Sequence, residues 1–413
     1  MRAPPVLLQL AVRNVRRNRR RSLLTLLSLV VGVTGFNLFQ GYQHDTLASL
    51  ADSAVYGETL GHLVVMKEGA LTRGKIDEAA SLLSGSDLAV VIEELARVPE
   101  VDFVAPRLLL EGLITDGRSS LVFFGLAMDP ATYRRFRARF RYGGEGRELT
   151  PDRPRGGQVA RDLAAILHLE VGGGVTLFSS TVAGRLNAVD MDVIGIFDTG
   201  SAATNDKYVV VPLGLGRELY RTDGAHQVAV VLRDPAAAGR VAARITGALR
   251  GRGLAVELRD WEAMSAFFRG VRQLYGMIFG FLFVIVVTVV VMSVLNTMTM
   301  AVMERAREIG TLRALGMRPG AVQRLFAAEG LVLGLLGTAG AGLATLAVGS
   351  LVNAARITYR PPGISAEVPL YIALDAGLIA ANGLLVAALC GLVSLLPARR
   401  TARLEVVEAL RHM

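Results

Sequence analysis

The sequence predicts a membrane protein in which four transmembrane α-helices carry a large α+β domain, inserted between the first and second helices. Three observations lead to this fold class. The 413-residue chain is 52% hydrophobic, which is high for a soluble protein. It contains four apolar runs of the length that crosses a bilayer, about 20 helical residues. The segment between the first two runs instead shows strand and helix patterns of a folded domain.

The four predicted spans end where the apolar runs meet charged residues. The first run is too long for the apolar core of a signal peptide, and no Ala-x-Ala site follows it, so a retained span is expected. The spans are residues 22–42, 274–300, 325–352 and 370–396. The remaining segments are residues 1–21, 43–273, 301–324, 353–369 and 397–413.

The distribution of arginine predicts the orientation of the spans. Residues 1–21, 301–324 and 397–413 carry clusters of arginine, whereas the short loop between spans three and four has only Arg356 and Arg360. By the positive-inside rule, both termini and the second loop face the cytoplasm, and the large domain lies outside. The N-terminal segment passes from apolar to basic, which predicts an amphipathic helix along the inner membrane face.

The outer segment, 43–273, predicts α+β structure. Runs rich in β-branched and aromatic residues predict strands at 61–66, 119–127, 174–181, 192–197, 207–213 and 227–232. Apolar residues at helical spacing predict helices at 87–98 and 236–250. Proline and glycine at 153–160 predict a break between two subdomains.

Catalytic, metal and nucleic-acid functions find little support in the sequence. The single cysteine, Cys390, lies in an apolar run and is expected to be a packing residue. Asp192, Asp198 and Asp206 have no partnered base. The glycine run at 171–175 lacks a following Lys-Ser or Lys-Thr and predicts a turn. The basic charge lies beside apolar spans, so it indicates membrane topology rather than binding to nucleic acid.

The loop between spans two and three contains the sequence ERAREIGTLRALGMRPGAV, residues 304–322. Its charged and apolar residues recur at three- and four-residue spacing, which predicts a short amphipathic helix. Gly316 can end this helix and Pro319 can begin the next one. A helix that only satisfied the positive-inside rule would not need an apolar ridge, so a surface for a partner protein is expected. The sequence contains no GxxxxGK[ST] motif, so a phosphate-binding loop of this type is not predicted.

This stretch and its continuation, QRLFAAEGLVLGLLGTAGAGL, resemble the signature of ABC transporter permeases of the FtsX, MacB and LolC–LolE type, a mechanotransmission (type VII) family. RNVRRNRRRSLLTLLSLVVGV is similar to the family's approach to span one, DVIGIFDTG and KYVVVPL to its outer-domain core, and LPARRTARLEVVEALR to its terminal motif. One departure is Glu405-Val406, where the family often has Asp-Pro. In layout the chain is nearest to the lipoprotein-releasing LolC/LolE type.

The resemblance implies a non-catalytic permease subunit in the bacterial inner membrane, with its large domain in the periplasm. It implies that ATP and Mg are bound by a separate ABC ATPase subunit and that this chain binds no cofactor. ATP-driven movement of the spans would then move the periplasmic domain. The segment 301–324 would hold a coupling helix that docks on the ATPase through Glu304, Arg305, Arg307, Glu308, Ile309, Gly310, Leu312, Arg313, Leu315 and Gly316.

Three further features concern the membrane part. Small residues permit close helix approach, either within the chain or against a second permease chain in a homodimer or heterodimer: Gly330, Gly334, Gly337, Gly383, Ala387 and Gly391. Phenylalanines of spans one and two could line an apolar access path for membrane lipids: Phe36, Phe39, Phe279, Phe281 and Phe283. Glu329 is expected to face the membrane interface or to pair with an arginine such as Arg324.

The resemblance leaves three functions open. The favoured one is extraction of lipoproteins from the inner membrane for transfer to a periplasmic carrier. The second is a MacB-like export permease of a tripartite efflux system, although that type carries its ATPase on the same chain. The third is an FtsX-like signalling scaffold that activates a periplasmic cell-wall hydrolase, which the large size of the outer domain disfavours.

Overall fold

A computed structural model of the protein describes residues 13–14, 19–73, 81–140, 143–315, 317–360 and 367–402. Most of the predicted N-terminal amphipathic helix and of the cytoplasmic tail lies outside these residues. The chain divides into two compact units. The helical unit comprises Met1–Leu47, Arg272–Ile357 and Pro369–Met413, and the outer unit comprises Ala48–Val271 and Thr358–Val368.

The described helices, in chain order, are α1 Arg19–Asp52, α2 Ala70–Arg73, α3 Gly85–Ala96, α4 Pro130–Arg139, α5 Arg161–Ile166, α6 Leu213–Tyr220, α7 Ala238–Gly251, α8 Trp261–Met264, α9 Ala266–Glu304, α10 Ala306–Ala314, α11 Pro319–Ala355 and α12 Ala376–Ala402. The described strands are β1 Leu63–Lys67, β2 Val101–Thr115, β3 Ser120–Met128, β4 Gly144–Gly146, β5 Gly156–Ala160, β6 Gly174–Ser180, β7 Leu186–Phe197, β8 Tyr208–Pro212, β9 Gln227–Leu232, β10 Val256–Asp260, β11 Thr358–Tyr359 and β12 Val368–Pro369. A π-helical turn, Ser53–Gly57, follows α1.

The helical unit is built from long apolar helices. Four helices of the described chain are long and apolar enough to cross a membrane: Ser22–Gly57, Ala266–Glu304, Pro319–Ala355 and Ala376–Arg399. They extend beyond the predicted spans, since α1 continues past residue 42 and α9 begins before residue 274. Their buried side chains form one core, which includes Leu29, Val33, Val290, Val294, Met298, Phe326, Leu333 and Cys390. Cys390 is fully buried there, as predicted for a packing residue.

The outer unit is built on one ten-stranded sheet. Its strand order is β10-β1-β9-β2-β3-β8-β5-β7-β4, and β6 pairs with both β2 and β7. Pairing is mostly antiparallel, with parallel pairs at β3–β8 and β5–β7. Strands far apart in sequence are neighbours in the sheet, as in the β1–β9 and β1–β10 pairs. The mixture of this sheet with short helices confirms the α+β prediction.

Two main buried clusters divide the outer unit into nested halves. One is formed by β1, α3, β9, α7 and β10, with side chains that include Leu63, Val91, Leu95, Val230 and Ile245. The other lies in the middle of the sequence and includes Leu108, Phe123, Val159, Leu177, Val209 and Tyr220. The chain enters the second half along β2 and leaves it after α6. One half is therefore inserted into the other, and the two do not follow each other along the chain.

The stretch 153–160, predicted as a break between subdomains, does not separate them. Residues Gly156–Ala160 form the buried strand β5, which pairs with β7 and β8 inside the sheet. Gly156 is closely packed, because a Cβ there would lie 2.7 Å from the side chain of Ile194, whereas a Cβ on Gly157 would meet the flexible side chain of Met191. In the sequence, a glycine in a closely packed strand cannot be distinguished from a glycine in a turn, so the strand was predicted as a break.

Candidate functional site

The predicted coupling helix is α10, between two membrane helices. The chain breaks from α9 at Arg305, and α10 ends with Leu315 as its C-cap. Pro319 occupies the first turn of α11, after an extended Arg318. Proline is favoured there because the first turn of a helix does not use its backbone N–H groups. The helix and the start of α11 at Pro319 agree with the sequence analysis.

The residues assigned to the coupling helix divide between two faces. Ile309 and Gly310 are buried, and Ile309 belongs to the core of the helical unit. The exposed residues are Glu304, Arg307, Glu308 and Leu315, and the Leu315 side chain is 81% exposed. Arg313 is half-buried. Gly316 and the side chain of Leu312 lie outside the described part of the chain.

Arg305 has a different position from the one predicted. Its side chain is buried, and its Nη1 donates to Oε1 of Glu329 on α11 over 2.9 Å. Asn14 Nδ2 donates to the same oxygen. Arg324, the partner suggested for Glu329, instead donates from Nε to the carbonyl of Gly320 over 3.2 Å. Arg305 is thus turned into the helical unit because the break before α10 aims it at a buried carboxylate, and it is not part of the exposed face.

The six small residues in spans three and four contact other helices of the same chain. A Cβ on Gly330 would meet Ser394 Oγ at 2.0 Å and the Cys390 carbonyl at 2.6 Å. The nearest atom to a Cβ on Gly334 would be Ala387 Cα, at 2.7 Å. A Cβ on Gly337 would also be too close to its neighbour, Leu29, at 2.8 Å, whereas Cβ atoms on Gly383 and Gly391 would make ordinary contacts with Thr338 at 3.4 Å and Ala327 at 3.5 Å. Contact of these residues with a second permease chain stays a prediction.

Four of the five phenylalanines predicted to line a lipid path form a cluster between α1 and α9. The ring centroids of Phe36 and Phe279 are 4.7 Å apart, and those of Phe36 and Phe283 are 5.7 Å apart. Phe39 stacks on Phe279 at 6.5 Å. Phe281 is 68% exposed on α9 and lies outside this cluster.

A shallow apolar groove adjoins the cluster and is lined by α1, α9 and α12, through Val33, Phe36, Phe283, Val286, Val287, Val290, Asn382, Leu385, Val386 and Leu389. Its one amide is Asn382, whose Nδ2 donates to Asn37 Oδ1 over 2.9 Å and to Gln40 Oε1 over 2.5 Å. Asn37 Nδ2 in turn donates to Thr345 Oγ1 over 3.4 Å. This network is not among the sequence-based predictions, although amides inside apolar spans are a signal for contacts between helices.

Two of the three carboxylates considered for catalysis, Asp198 and Asp206, form ion pairs within the outer unit. Asp198 Oδ2 accepts from Arg161 over 2.8 Å, and its Oδ1 accepts from the Gly200 backbone. Asp206 pairs with Lys207 at 3.3 Å. Within the described residues no group of three or more His, Cys, Asp or Glu side chains is placed to hold a metal ion.

Comparison with known proteins identifies the family of this chain. The family model of the MacB-like periplasmic core domain matches residues 22–248, more than half of the chain, and the FtsX-like permease C-terminal model matches residues 280–406. The lipoprotein-releasing system transmembrane protein LolC of Xylella fastidiosa is 24% identical over 267 residues, which cover 62% of this chain and 64% of that protein. The pyoverdine export ATP-binding/permease protein PvdT of Pseudomonas putida is 25% identical over 420 residues, which cover 98% of this chain and 59% of that protein.

The chain therefore spans less than two thirds of the length of either relative. Among solved structures, the periplasmic region of MacB from Actinobacillus actinomycetemcomitans aligns with a TM-score of 0.37 at 12% identity, covering 49% of this chain and 90% of that one. Both family models fall on the features built above, one from the first span into the outer sheet and the other across the last three membrane helices with α10 between them. The chain belongs to the family of ABC transporter permeases that combine a MacB-like periplasmic core domain with an FtsX-like permease C-terminal region.

Proposed function

We propose that the chain is a permease subunit that converts ATP binding and hydrolysis by a separate ABC ATPase subunit into movement of its periplasmic domain. The observation that carries the proposal is α10, a short helix between two membrane helices with one face in the core and one face exposed. ATP and Mg are bound by the partner, since the sequence has no phosphate loop of the Walker type. In this arrangement α10 and both termini are cytoplasmic, in a bacterial inner membrane.

The attachment of α10 suits the transmission of force. Ile309 anchors the helix in the core of the helical unit, and the ion pair of Arg305 with Glu329 ties its start to α11. A displacement of α10 is therefore passed to the helices on both sides rather than absorbed by a loose loop. The exposed face mixes charges, at Arg307 and Glu308, with the apolar side chain of Leu315. Such a mixture suits a polar rim around an apolar contact with a partner.

For the cargo we favour acylated lipoproteins, passed to a periplasmic carrier. The groove beside Phe36 and Phe283 supports this choice, because an apolar groove in a membrane-spanning part suits an acyl chain. The name of the LolC relative supports it too. Export of a small molecule through a tripartite system is the second candidate, favoured by the PvdT relative that matches 98% of the chain. A second permease chain, identical or related, completes either complex. The FtsX-like scaffold stays a third alternative.

The test is purification of the tagged chain from its native membrane in mild detergent, followed by mass spectrometry of the retained proteins. We expect an ABC ATPase, and acylated lipoproteins or a lipoprotein carrier with it. An adaptor and an outer-membrane channel in their place would support export, and a cell-wall hydrolase would support the scaffold. Absence of any ATPase would contradict the proposal.

Two variants of the exposed face sharpen this test. Glu308→Lys reverses a charge on α10, and Leu315→Asp removes its apolar contact. Both should reduce the recovered ATPase at least about tenfold, since central interface residues dominate binding energy. The matched control is Leu186→Asp, which changes an equally exposed leucine in the outer unit and should leave the recovery of the ATPase unchanged.

A further inference from the structure

The chain leaves α1 through a segment with an unusual backbone, residues 53–62, here named the joint. It begins with the π-helical turn Ser53–Gly57, a rare form that concentrates at functional sites. Thr59 follows with a φ of 58° and Gly61 with a φ of 69°. A β-branched residue such as Thr59 is an outlier in this left-handed region. Strained backbone of this kind persists only where the surrounding structure enforces it.

The joint is held against strand β9. His62 N donates to the Val230 carbonyl over 2.8 Å, and the Leu232 backbone N–H donates to His62 Nδ1 over 3.0 Å. A Cβ on Gly61 would lie 2.7 Å from the Val230 carbonyl oxygen, so only glycine fits there. The Thr59 side chain is buried, and its Oγ1 has no hydrogen-bond partner among the described residues. Neither the backbone nor the side chain of Thr59 is therefore in a favourable state.

Arg107 on β2 forms hydrogen bonds with both the joint and strand β9. Its Nη2 donates to the Glu58 carbonyl over 2.9 Å, and its Nη1 donates to Gln227 Oε1 on β9 over 3.0 Å. The side chain is buried, while its Nε finds no acceptor in the part of the chain that the structure describes. A buried donor left unsatisfied costs free energy. One arginine thus links the joint to two strands in an incompletely satisfied arrangement.

The joint also contacts the place where the chain returns to α9. The Trp261 backbone N–H donates to the His62 carbonyl over 3.3 Å. The Trp261 ring packs on Phe268, in the first turns of α9, with ring centroids 4.5 Å apart. The joint is therefore hydrogen-bonded to the segment that leads into α9.

We propose that the joint is a two-state element that carries a displacement of α1 into the outer sheet, with Arg107 as the positioning residue that holds it in the state described. In the second state Thr59 leaves the left-handed region and Arg107 exchanges the Glu58 carbonyl for another acceptor. The strain at Thr59 and the unsatisfied Nε of Arg107 raise the free energy of the present state. The free-energy difference between the two states is therefore small enough for a modest change elsewhere in the protein to shift their populations. The inference rests on the proposed function, because ATP-driven movement supplies the bias.

The test follows amide hydrogen exchange by mass spectrometry in the complete complex of this chain with its ATPase, with and without ATP and vanadate. In the wild type we expect a nucleotide-dependent change both in peptides of α10 and in peptides of the joint. Thr59→Gly relieves the strain and should lower the population of the second state about tenfold, which slows exchange of the joint in the ATP state by the same factor. The response of α10 should persist.

The matched control is Arg221→Gly. Arg221 is exposed, has a φ of 51° and lies elsewhere in the outer unit, so the same backbone relief there should leave exchange of the joint unchanged. Arg107→Gln should act in the opposite direction and speed exchange of the joint about tenfold without nucleotide, since the link to Glu58 is lost. If Arg107→Gln does not fold, the comparison of Thr59→Gly with Arg221→Gly still tests the proposal.

The outcomes separate the two proposals. If ATP changes hydrogen exchange in α10 but not in the joint, the inference is overturned and the proposed coupling function is unaffected. Equal effects of Thr59→Gly and Arg221→Gly on the joint also overturn it. If ATP does not change hydrogen exchange in α10 in the intact complex, the proposed function itself is overturned.

Discussion

Arg305 and Glu329 form an ion pair inside the helical unit, with Nη1 and Oε1 2.9 Å apart and side chains only 7% and 4% exposed. The arginine lies at the break between α9 and α10, and the glutamate lies on α11. Each charge is removed from water, so each depends on the other for compensation. The pair therefore fixes the start of α10 to the helix that follows it, α11.

The first prediction is that Arg305→Met destabilises the helical unit by about 3–5 kcal/mol, because it leaves Glu329 buried without its ion partner. The double variant Arg305→Met/Glu329→Leu should lose less stability than Arg305→Met alone, since the double variant leaves neither charge of the pair buried. Unfolding in detergent, followed for both variants and for Glu329→Leu, gives the coupling energy. The control Arg324→Met changes an exposed arginine and should stay within about 0.5 kcal/mol of wild type. Equal losses for Arg305 and Arg324 would contradict the pairing.

The second prediction concerns the contact between α11 and α12. Gly330→Ala should destabilise the protein by about 1–3 kcal/mol, because its Cβ would meet the Cys390 carbonyl at 2.6 Å. Gly391→Ala is the matched control. Its Cβ would have its nearest neighbour at 3.5 Å, so alanine should be neutral or stabilise by up to about 1 kcal/mol through helix propensity. Thermal unfolding of both variants measures this difference in stability. If Gly330→Ala were as stable as the wild type, the two helices would be able to separate at this position.

Local signals in the sequence were enough to predict the long helices and six of the ten strands of the sheet, but not β2, β4, β5 and β10, and not all of the bounds. Hydropathy stops where charge begins, whereas the hydrogen-bonded backbone of α1 continues to Asp52. Strand β2 was missed because Pro106 interrupts its apolar pattern. In the sheet, pairing of β2 with β3 begins only at Arg107. At Pro106 the strand is paired with β9 alone, so it tolerates proline as an edge strand does.

The contacts of the candidate site depended on turns that the sequence does not specify. The sequence predicts that Glu329 faces the membrane interface or pairs with an arginine such as Arg324, five positions before it. The actual partner, Arg305, comes within reach only because α10 and the turn before Pro319 reverse the chain. The strain at Thr59 is equally invisible in sequence, since threonine is an ordinary residue until its φ is known.

The third prediction is a pH dependence at His62. Burial, together with nearby Arg139, lowers the pKa of His62 below its ordinary value of 6.5, although Asp52 opposes the shift. Its Nδ1 accepts the Leu232 N–H, which requires the neutral ring. The unfolded chain therefore binds a proton more readily than the folded one, so stability falls as the pH drops below about 6.5 and is constant above it.

Fluorescence of Trp261, the single tryptophan, reports unfolding of the outer unit close to this histidine. Between about pH 7 and 5, we expect His62→Gln to remove part of the loss of stability that the wild type shows. His168→Gln, at an exposed position of the same unit, should leave the slope unchanged. Identical slopes for wild type and His62→Gln would show that the ring does not stay neutral on folding.

The fourth prediction tests the groove between α1, α9 and α12. A photo-crosslinking phenylalanine analogue at Phe283, which lines the groove, should capture acylated cargo in the assembled complex. The same analogue at Phe281, two positions away on α9 and outside the cluster, should capture bulk lipid only. The products are identified by mass spectrometry from native membranes.

Filling the groove provides the second arm of this test. Val286→Trp places a large side chain in the groove that Val286 lines, and it should suppress cross-linking of cargo at Phe283 because the apolar site is occupied. Recovery of the ATPase with Val286→Trp should stay at the wild-type level, since the exposed face of α10 is unchanged. If Phe283 and Phe281 gave the same products, or if Val286→Trp left the products unaltered, the groove would be an ordinary lipid-facing crevice and the case for an acylated cargo would lose its structural support.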